Sequence, residues 1–273
     1  MLPTVSFAGH EISRLIIGGN PFSGNSHVSA EMDREMIDYF STENIKRALF
    51  RCIENGINAM QLRGDRHITR IIHEFRREGG RMHWIAQTAS ELGDFQGGLN
   101  AIMNFDPIAI YLHGSITDEL FKAGDFEGIR RRLEAIRRTG AFTGIGTHMP
   151  EVVEYADENF DVDFHMTSVY NLSKIHRVSS AVTGRPNSGE PFDDEDREVM
   201  YRAVRKTEKP CLVFKILGST RLCGTPGEVR EAFREAFENI KPIDSVVVGM
   251  FPRDRDQLAE NAGFVREILN SGI

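Results

Sequence analysis

Gln61, Arg63, Asp65 and Arg66 stand together just after the apolar residues Ile57, Ala59 and Met60. A short buried strand that runs out into amides and guanidinium groups is where an α/β protein places its chemistry. The same pattern recurs along the chain. His113 follows PIAIYL, Thr147 and His148 follow FTGIG, Tyr170 and Asn171 follow DFHMTSV, and Lys215 follows CLVF, while Asn20, Gln87 and Arg253 end or follow further apolar runs. This set is rich in hydrogen-bond donors and poor in carboxylates, which suits a polyhydroxylated or anionic small molecule. Asp65 lies near the second strand, and Glu190, Asp193 and Asp194 lie in the segment after the sixth. Two facing acids of the kind that glycoside hydrolysis uses are not defined.

Each residue type has a chemistry and a plainer alternative. His113 or His148 is suited to act as a base, and a histidine ending an apolar strand can equally be a satisfied core residue. Arg63 and Arg66 would clamp a carboxylate or phosphate, or pair with Asp65. Lys215 would hold a phosphate or lie at the surface in preference to forming a Schiff base. His113, His148 and His165 lack metal-ligand spacing, and His165 falls in mid-strand, so no metal is expected. Nothing near Cys223 would lower its pKa, and a structural role is the reading for it.

Strands and helices must alternate to position these groups. A hairpin over 4–7 and 11–13 precedes a first main strand, RLIIGGN. INAMQ, MHWIAQT, PIAIYLH, FTGIGTH, DFHMTSVYN, CLVFKIL and SVVVGM follow as strands two to eight. Most are short apolar runs without alternation, as expected of strands buried on both faces. Stretches such as FEGIRRRLEAIRRTG and GEVREAFREAFENI between them carry mixed charge on one helical face. Eight such units in 273 residues predict an α/β fold, a single (β/α)8 TIM barrel domain with an N-terminal β-hairpin. An open doubly wound sheet competes less well, because no Gly-x-Gly-x-x-Gly follows the early strands. Two long segments, 21–42 and 172–196, are expected on the catalytic face. Within the second, SSAVTGRPNSGEPFDDED reads equally as a lid or a tolerated surface insertion. The turns LGSTRLCG and MFPRDRDQLAEN, after strands seven and eight, offer glycines, a helix start and arginines to a phosphate.

Bulk composition narrows the partners. The formal net charge is −7, without a basic stretch, which argues against nucleic acid and anionic membrane surfaces. No apolar run approaches a membrane span and the N-terminus does not read as a signal peptide. The odd set Cys52, Cys211 and Cys223 fits a reduced, cytoplasmic setting. A small molecule is the expected partner, and the oligomeric state is not legible.

The ordered pieces VSFAGHEISRLIIGGNPF, ENGINAMQ, DPIAIYLHG, GIGTHMPEVVE, VYNLS, ILGS and VVVGMFPRDRDQLAENAGFVREI together resemble the aldo-keto reductases over nearly the whole chain. That resemblance implies the barrel fold and carbonyl reduction with a nicotinamide cofactor, NADP or NAD, through an Asp, Tyr, Lys and His group. On this chain the aspartate position falls on Gln61, the tyrosine position on or near Arg66 and the lysine position on Gln87. Only His113 matches. Glutamine has no acidic proton and arginine is effectively never deprotonated, so the proton relay of the family is missing. On the cofactor side, the resemblance gives Glu260 and Asn261 to adenine and Phe214 to the nicotinamide ring. It puts Lys215 and Ser219, beside Gly218, near the pyrophosphate. Gln257 stands where an arginine often holds the extra phosphate of NADP, with Arg253 and Arg255 close by. Thr147 and Thr167 stand at the carboxamide positions, and Gly146 replaces a serine.

Three functions follow. The first is a barrel enzyme with a reassigned site acting on a small polar, sugar-like carbonyl or hydroxy compound, by elimination, isomerisation or aldol-type cleavage. The second is a nicotinamide-dependent oxidoreductase with His113 or Tyr170 as substitute proton donor. The third is a non-catalytic barrel that binds a metabolite.

Overall fold

Side chains alternate across each strand, and here both sides are apolar. Ile16, Ala59, Ile85, Ala109, Phe164, Leu212 and Val247 form an inner cluster with Phe7 and Ile12. Their neighbours Leu15, Ile17, Met60, Leu62, Trp84, Ala86, Ile110 and Val246 belong to the outer cluster under the helices. A period-2 structure therefore leaves no period-2 trace in these runs. The computed structural model describes residues 1–89, 93–175 and 189–272. A hairpin of β1 (Thr4–Phe7) and β2 (His10–Ser13) is followed by a closed parallel barrel. The barrel strands are β3 (Leu15–Gly18), β4 (Ala59–Arg63), β5 (His83–Gln87), β6 (Ala109–Leu112), β7 (Phe142–Thr147), β8 (Phe164–Ser168), β9 (Cys211–Phe214) and β10 (Ser245–Gly249). β10 pairs back onto β3 and closes the ring. This is the (β/α)8 TIM barrel with an N-terminal hairpin that the sequence predicts.

The hairpin floors the barrel. Phe7 meets Phe142 and Phe164 edge-on at 5.1 and 5.0 Å, and Phe142 and Phe164 stack on each other. Gly144 faces this floor, where a Cβ would collide with the Phe164 ring. Gly144→Ala is therefore expected to lower stability by about 1–3 kcal/mol through overpacking, read as the free energy of urea unfolding. An unchanged value would mean that the aromatic floor yields freely.

The helices are α1 (Ala30–Tyr39), α2 (Thr42–Glu54), α3 (Arg66–Arg77), α4 (Phe95–Met103), α5 (Gly114–Lys122), α6 (Phe126–Arg137), α7 (Pro150–Asn159), α8 (Glu195–Lys206), α9 (Pro226–Asn239) and α10 (Gln257–Asn270). In α2, Ile45, Ala48, Leu49 and Cys52 recur on one face and are all buried. The Ser41 side chain starts that helix by accepting from Asn44 N, a cap that contributes about 1 kcal/mol. Asp65 caps α3 in the same way, accepting from Ile68 N at 2.9 Å. Among the described residues, no helix is long and apolar enough to cross a membrane.

Two boundaries differ from expectation. The polar cluster expected just beyond the second strand lies partly within it, because β4 runs through Gln61 to Arg63. The segment 21–42 contains α1, whose cap Ser29 accepts from Met32 N. α1 packs over the chain following β10: Tyr39 and Phe40 meet the Phe251 ring at 5.4 and 5.7 Å, and Tyr39 OH donates to Pro252 O. Of the long segment after β8, residues 172–174 form a 3-10 turn. Most of the lid reading falls on 176–188, outside the described residues.

Candidate functional site

The C-terminal ends of the strands surround a cavity of about 430 Å³. Alternation turns Gln61, Gln87 and Tyr111 inward at its floor. Gln61 Nε2 donates to Tyr111 OH at 2.8 Å, and Tyr111 OH donates to Gln87 Oε1 at 2.7 Å. Tyr111 is 3 % exposed, and burial pushes its phenol well above the ordinary value, outweighing the Gln61 bond. A tyrosine is thus present two residues before His113, where no sequence candidate had placed one. Its partners are the two amides that stand at the aspartate and lysine positions of the resemblance. A neutral carboxamide has no charge with which to stabilise a phenolate, as an ammonium does.

His148 and His113 both line this cavity. His113 is the N-cap of α5, and its backbone N–H donates to Thr88 Oγ1 at 3.0 Å. His148 is 5 % exposed and its Nδ1 lies 2.8 Å from Asp118 Oδ2. Phe214 meets the His148 ring edge-on at 5.7 Å. Arg63 lines the same space, with Nε 3.7 Å from Asp65 Oδ2. Burial holds its guanidinium pKa below the ordinary value, Asp65 opposing.

Several expected residues lie elsewhere. Arg66 is the exposed first residue of α3 and does not line the cavity, because the turn after β4 carries it to the rim of the helix. Tyr170 also stays outside the cavity. It is buried behind the chain after β9, where its hydroxyl meets Arg197 Nη1 at 2.9 Å and Asp194 Oδ1 at 3.3 Å. β8 ends at Ser168, and its Oγ bonds Tyr170 O at 2.8 Å to close the turn that takes Tyr170 inward. Gly218 does not line the cavity either; it has φ +57 and faces Tyr170 and Arg221.

His165 turns away from the other two histidines. Its Nε2 lies 2.8 Å from Asp157 Oδ1 of α7. Among the described residues, no cluster of three or more His, Cys, Asp or Glu is placed to hold a metal ion. Burial holds the His165 pKa below its ordinary 6.5, outweighing Asp157, so the neutral ring donates to the carboxylate. The unfolded chain takes this proton first as pH falls. Stability is therefore full above about pH 6.5 and declines below it, with a slope of up to about 1.4 kcal/mol per pH unit until the folded ring titrates. Urea midpoints measured across this window should flatten in His165→Asn. An identical pH profile in the variant would contradict the assignment.

The cavity continues as an outer limb toward α10. Phe214, Lys215, Ser219, Arg253, Gln257, Glu260 and Asn261 line it. Lys215, Ser219 and Thr220 all have positive φ, so this turn presents backbone groups in an arrangement suited to an anion. The outer side chains are engaged with one another. Arg253 bridges Asp254 and Glu35 of α1, Arg255 Nη2 lies 2.8 Å from Glu260 Oε2, and Gln257 Oε1 accepts from Phe251 N. Asn20 and, from the segment 21–42, Ser26, His27, Met32 and Met36 close the limb. His27 Nδ1 meets Glu190 Oε2 at 2.7 Å, joining the two long segments.

These residues fit one half of a nicotinamide dinucleotide better than the other. Lys215, the left-handed turn, Arg253 and the amide of Asn261, 4 % exposed, match phosphate and adenine chemistry. The carboxamide end fits poorly. Thr147 Oγ1 donates to Asp118 Oδ1 at 2.5 Å, Thr167 does not line the cavity and Gly146 has no side chain to offer.

No protein-family profile matches the sequence, and no curated protein is detectably similar to it. Solved structures do match. A Pseudomonas aeruginosa protein described as an aldo-keto reductase superposes with a TM-score of 0.62 at 15% identity, over 97% of this chain and 94% of its own. An aldo-keto reductase of Bacillus halodurans in its holo form gives 0.59 at 10% identity, over 96% and 89%. An aldolase designated QR15 gives 0.51 at 12% identity, over 84% and 90%. The likeness establishes an aldo-keto reductase-like barrel, and at these identities it speaks to fold alone.

Proposed function

We propose that this protein is a barrel enzyme that moves protons on a small polar, sugar-like carbonyl or hydroxy compound, in the manner of an isomerase or lyase. The observation that carries this reading is the Tyr111 clamp. Its hydroxyl is engaged by Gln61 and Gln87, so the phenol is held protonated between neutral groups. Arg63, His113 and His148, which line the same cavity, supply the groups that proton transfer next to a carbonyl needs: a base and a cation for the developing oxyanion. The reading is tested by incubating the protein with a panel of short aldoses, ketoses and hydroxy acids, with and without NADPH or NADH. Isomerisation, cleavage or carbon-bound hydrogen exchange without nucleotide oxidation is the expected result. Steady oxidation of NADPH or NADH would overturn it.

A second reading, an oxidoreductase dependent on NADP or NAD, is favoured by the outer limb. Tyr170 lies outside the cavity, which leaves His113 as the substitute proton donor named by the sequence. Under this reading NADPH at one hundred times its dissociation constant stabilises the fold by about 2.7 kcal/mol, and absorbance falls when a carbonyl substrate is added. A melting temperature unmoved by either nucleotide would end it.

A further inference from the structure

Asp118 belongs to no sequence motif, yet it is 2 % exposed and its carboxylate is hydrogen-bonded by four groups, one of them lining the cavity. The bonds come from Thr147 Oγ1 at 2.5 Å, Ser173 Oγ at 2.6 Å, His148 N at 3.1 Å and His148 Nδ1 at 2.8 Å. A carboxylate at Nδ1 keeps the proton of the neutral imidazole on that nitrogen, so Nε2 carries the lone pair. The backbone bond and the Thr147 and Ser173 hydroxyls fix the carboxylate itself, and Phe214 packs against the ring edge. Burial would raise the Asp118 pKa, but the bonds from His148, Ser173 and Thr147 bring it below the ordinary carboxylate value. The carboxylate therefore stays ionised against His148 Nδ1.

We propose that His148 is the catalytic base and acid of this cavity and that Asp118 is its positioning residue. The proposal rests on the proton-transfer reading above and names the group that performs it. Nε2 takes a proton from the carbon beside the substrate carbonyl. The C–H electron pair becomes a carbon–carbon double bond, and the carbonyl π pair moves onto oxygen as an enediolate, whose charge Arg63 is suited to receive. The imidazolium, stabilised by Asp118 through Nδ1–H, then returns the proton to the neighbouring carbon, while the enediolate's remaining hydroxyl proton passes to the oxyanion and the other oxygen becomes the new carbonyl. No electrons are gained or lost, and no second reactant is consumed.

The test uses the full chain with 15N-labelled histidine, alongside His148→Gln and Asp118→Asn. Nitrogen chemical shifts, with His148 assigned by its loss in His148→Gln, should show the Nδ1–H tautomer in the parent and a changed tautomer in Asp118→Asn. In heavy water, proton NMR follows exchange of carbon-bound hydrogen in dihydroxyacetone, glyceraldehyde and hydroxypyruvate. The parent should exchange at least one of these, with a loss of about 100-fold or more in His148→Gln. Asp118→Asn should show a smaller loss with a displaced pH profile. If Asp118→Asn does not fold, Ser173→Ala loosens the same carboxylate and should displace the profile in the same direction. Exchange that survives His148→Gln overturns the catalytic assignment and leaves the proton-transfer reading standing. A parent His148 protonated at Nε2 overturns the role of Asp118. No exchange with any of the three compounds removes the proton-transfer reading and this proposal together.

Discussion

Asp118→Ala is expected to destabilise the protein by about 3–5 kcal/mol, the cost of removing one partner from a buried charged network. The substitution leaves Thr147 Oγ1, Ser173 Oγ, His148 N and His148 Nδ1 without the acceptor they share. None can turn to water, because Thr147, His148 and Ser173 are all buried. The elements involved are distant in sequence: α5, the end of β7 and the 3-10 turn after β8. Losing the carboxylate therefore loosens the wall of the cavity as well as the overall fold. Asp118→Asn should cost less, since an amide oxygen still accepts. Chemical unfolding of the two variants against the parent checks the ranking. A cost below about 1 kcal/mol for Asp118→Ala would place it among ordinary hydrogen-bond deletions and deny the network its structural role.

Arg197→Ala carries the second large effect, about 2–4 kcal/mol, from buried acceptors left unsatisfied and lost packing. The Arg197 guanidinium, 5 % exposed, donates to Tyr170 OH at 2.9 Å and Ile216 O at 3.1 Å, and in a fork to Glu235 at 2.9 and 2.5 Å. Ile216 lies inside the turn that carries Lys215 and Ser219 into the outer limb, so this cation holds the shape of that turn from behind. Burial opposes the charge, yet the Glu235 bonds hold the Arg197 pKa above its ordinary value. Arg197→Lys should recover little, because a single ammonium cannot reproduce the fork. For a chain of this length each kcal/mol moves the melting temperature by about 2–4 °C, so a thermal melt reads the effect directly. Full rescue by lysine would show that charge alone, without the planar geometry, is what the turn requires.

Much of the frame could be read directly from the residues. Short apolar runs, the charged helical stretches between them and the order of eight units prescribe the barrel. Period-2 geometry then sends Gln61, Gln87 and His148 to one mouth. These are local signals, since the faces of a strand and of a helix are set within a few residues of chain. Tyr111 was also within reach of this logic: it stands two residues before His113 and in register with Gln87. Its place within an apolar run disguised it as core.

The remaining assignments needed the folded chain. Asp118 meets His148 across 30 residues, Arg253 meets Glu35 across 218, and Tyr170 turns from the mouth toward Arg197. Their partners are chosen by how helices and loops pack after the barrel closes. Hydrogen bonds between elements leave no periodic mark in the sequence, because either partner could bond water equally well in the open chain. The sequence determined the barrel and that polar strand ends such as Gln61, Gln87, His113 and His148 meet at its mouth; tertiary packing decided that Tyr111 joins them, that Arg66 and Tyr170 do not, and which groups touch and so can hold or move a proton.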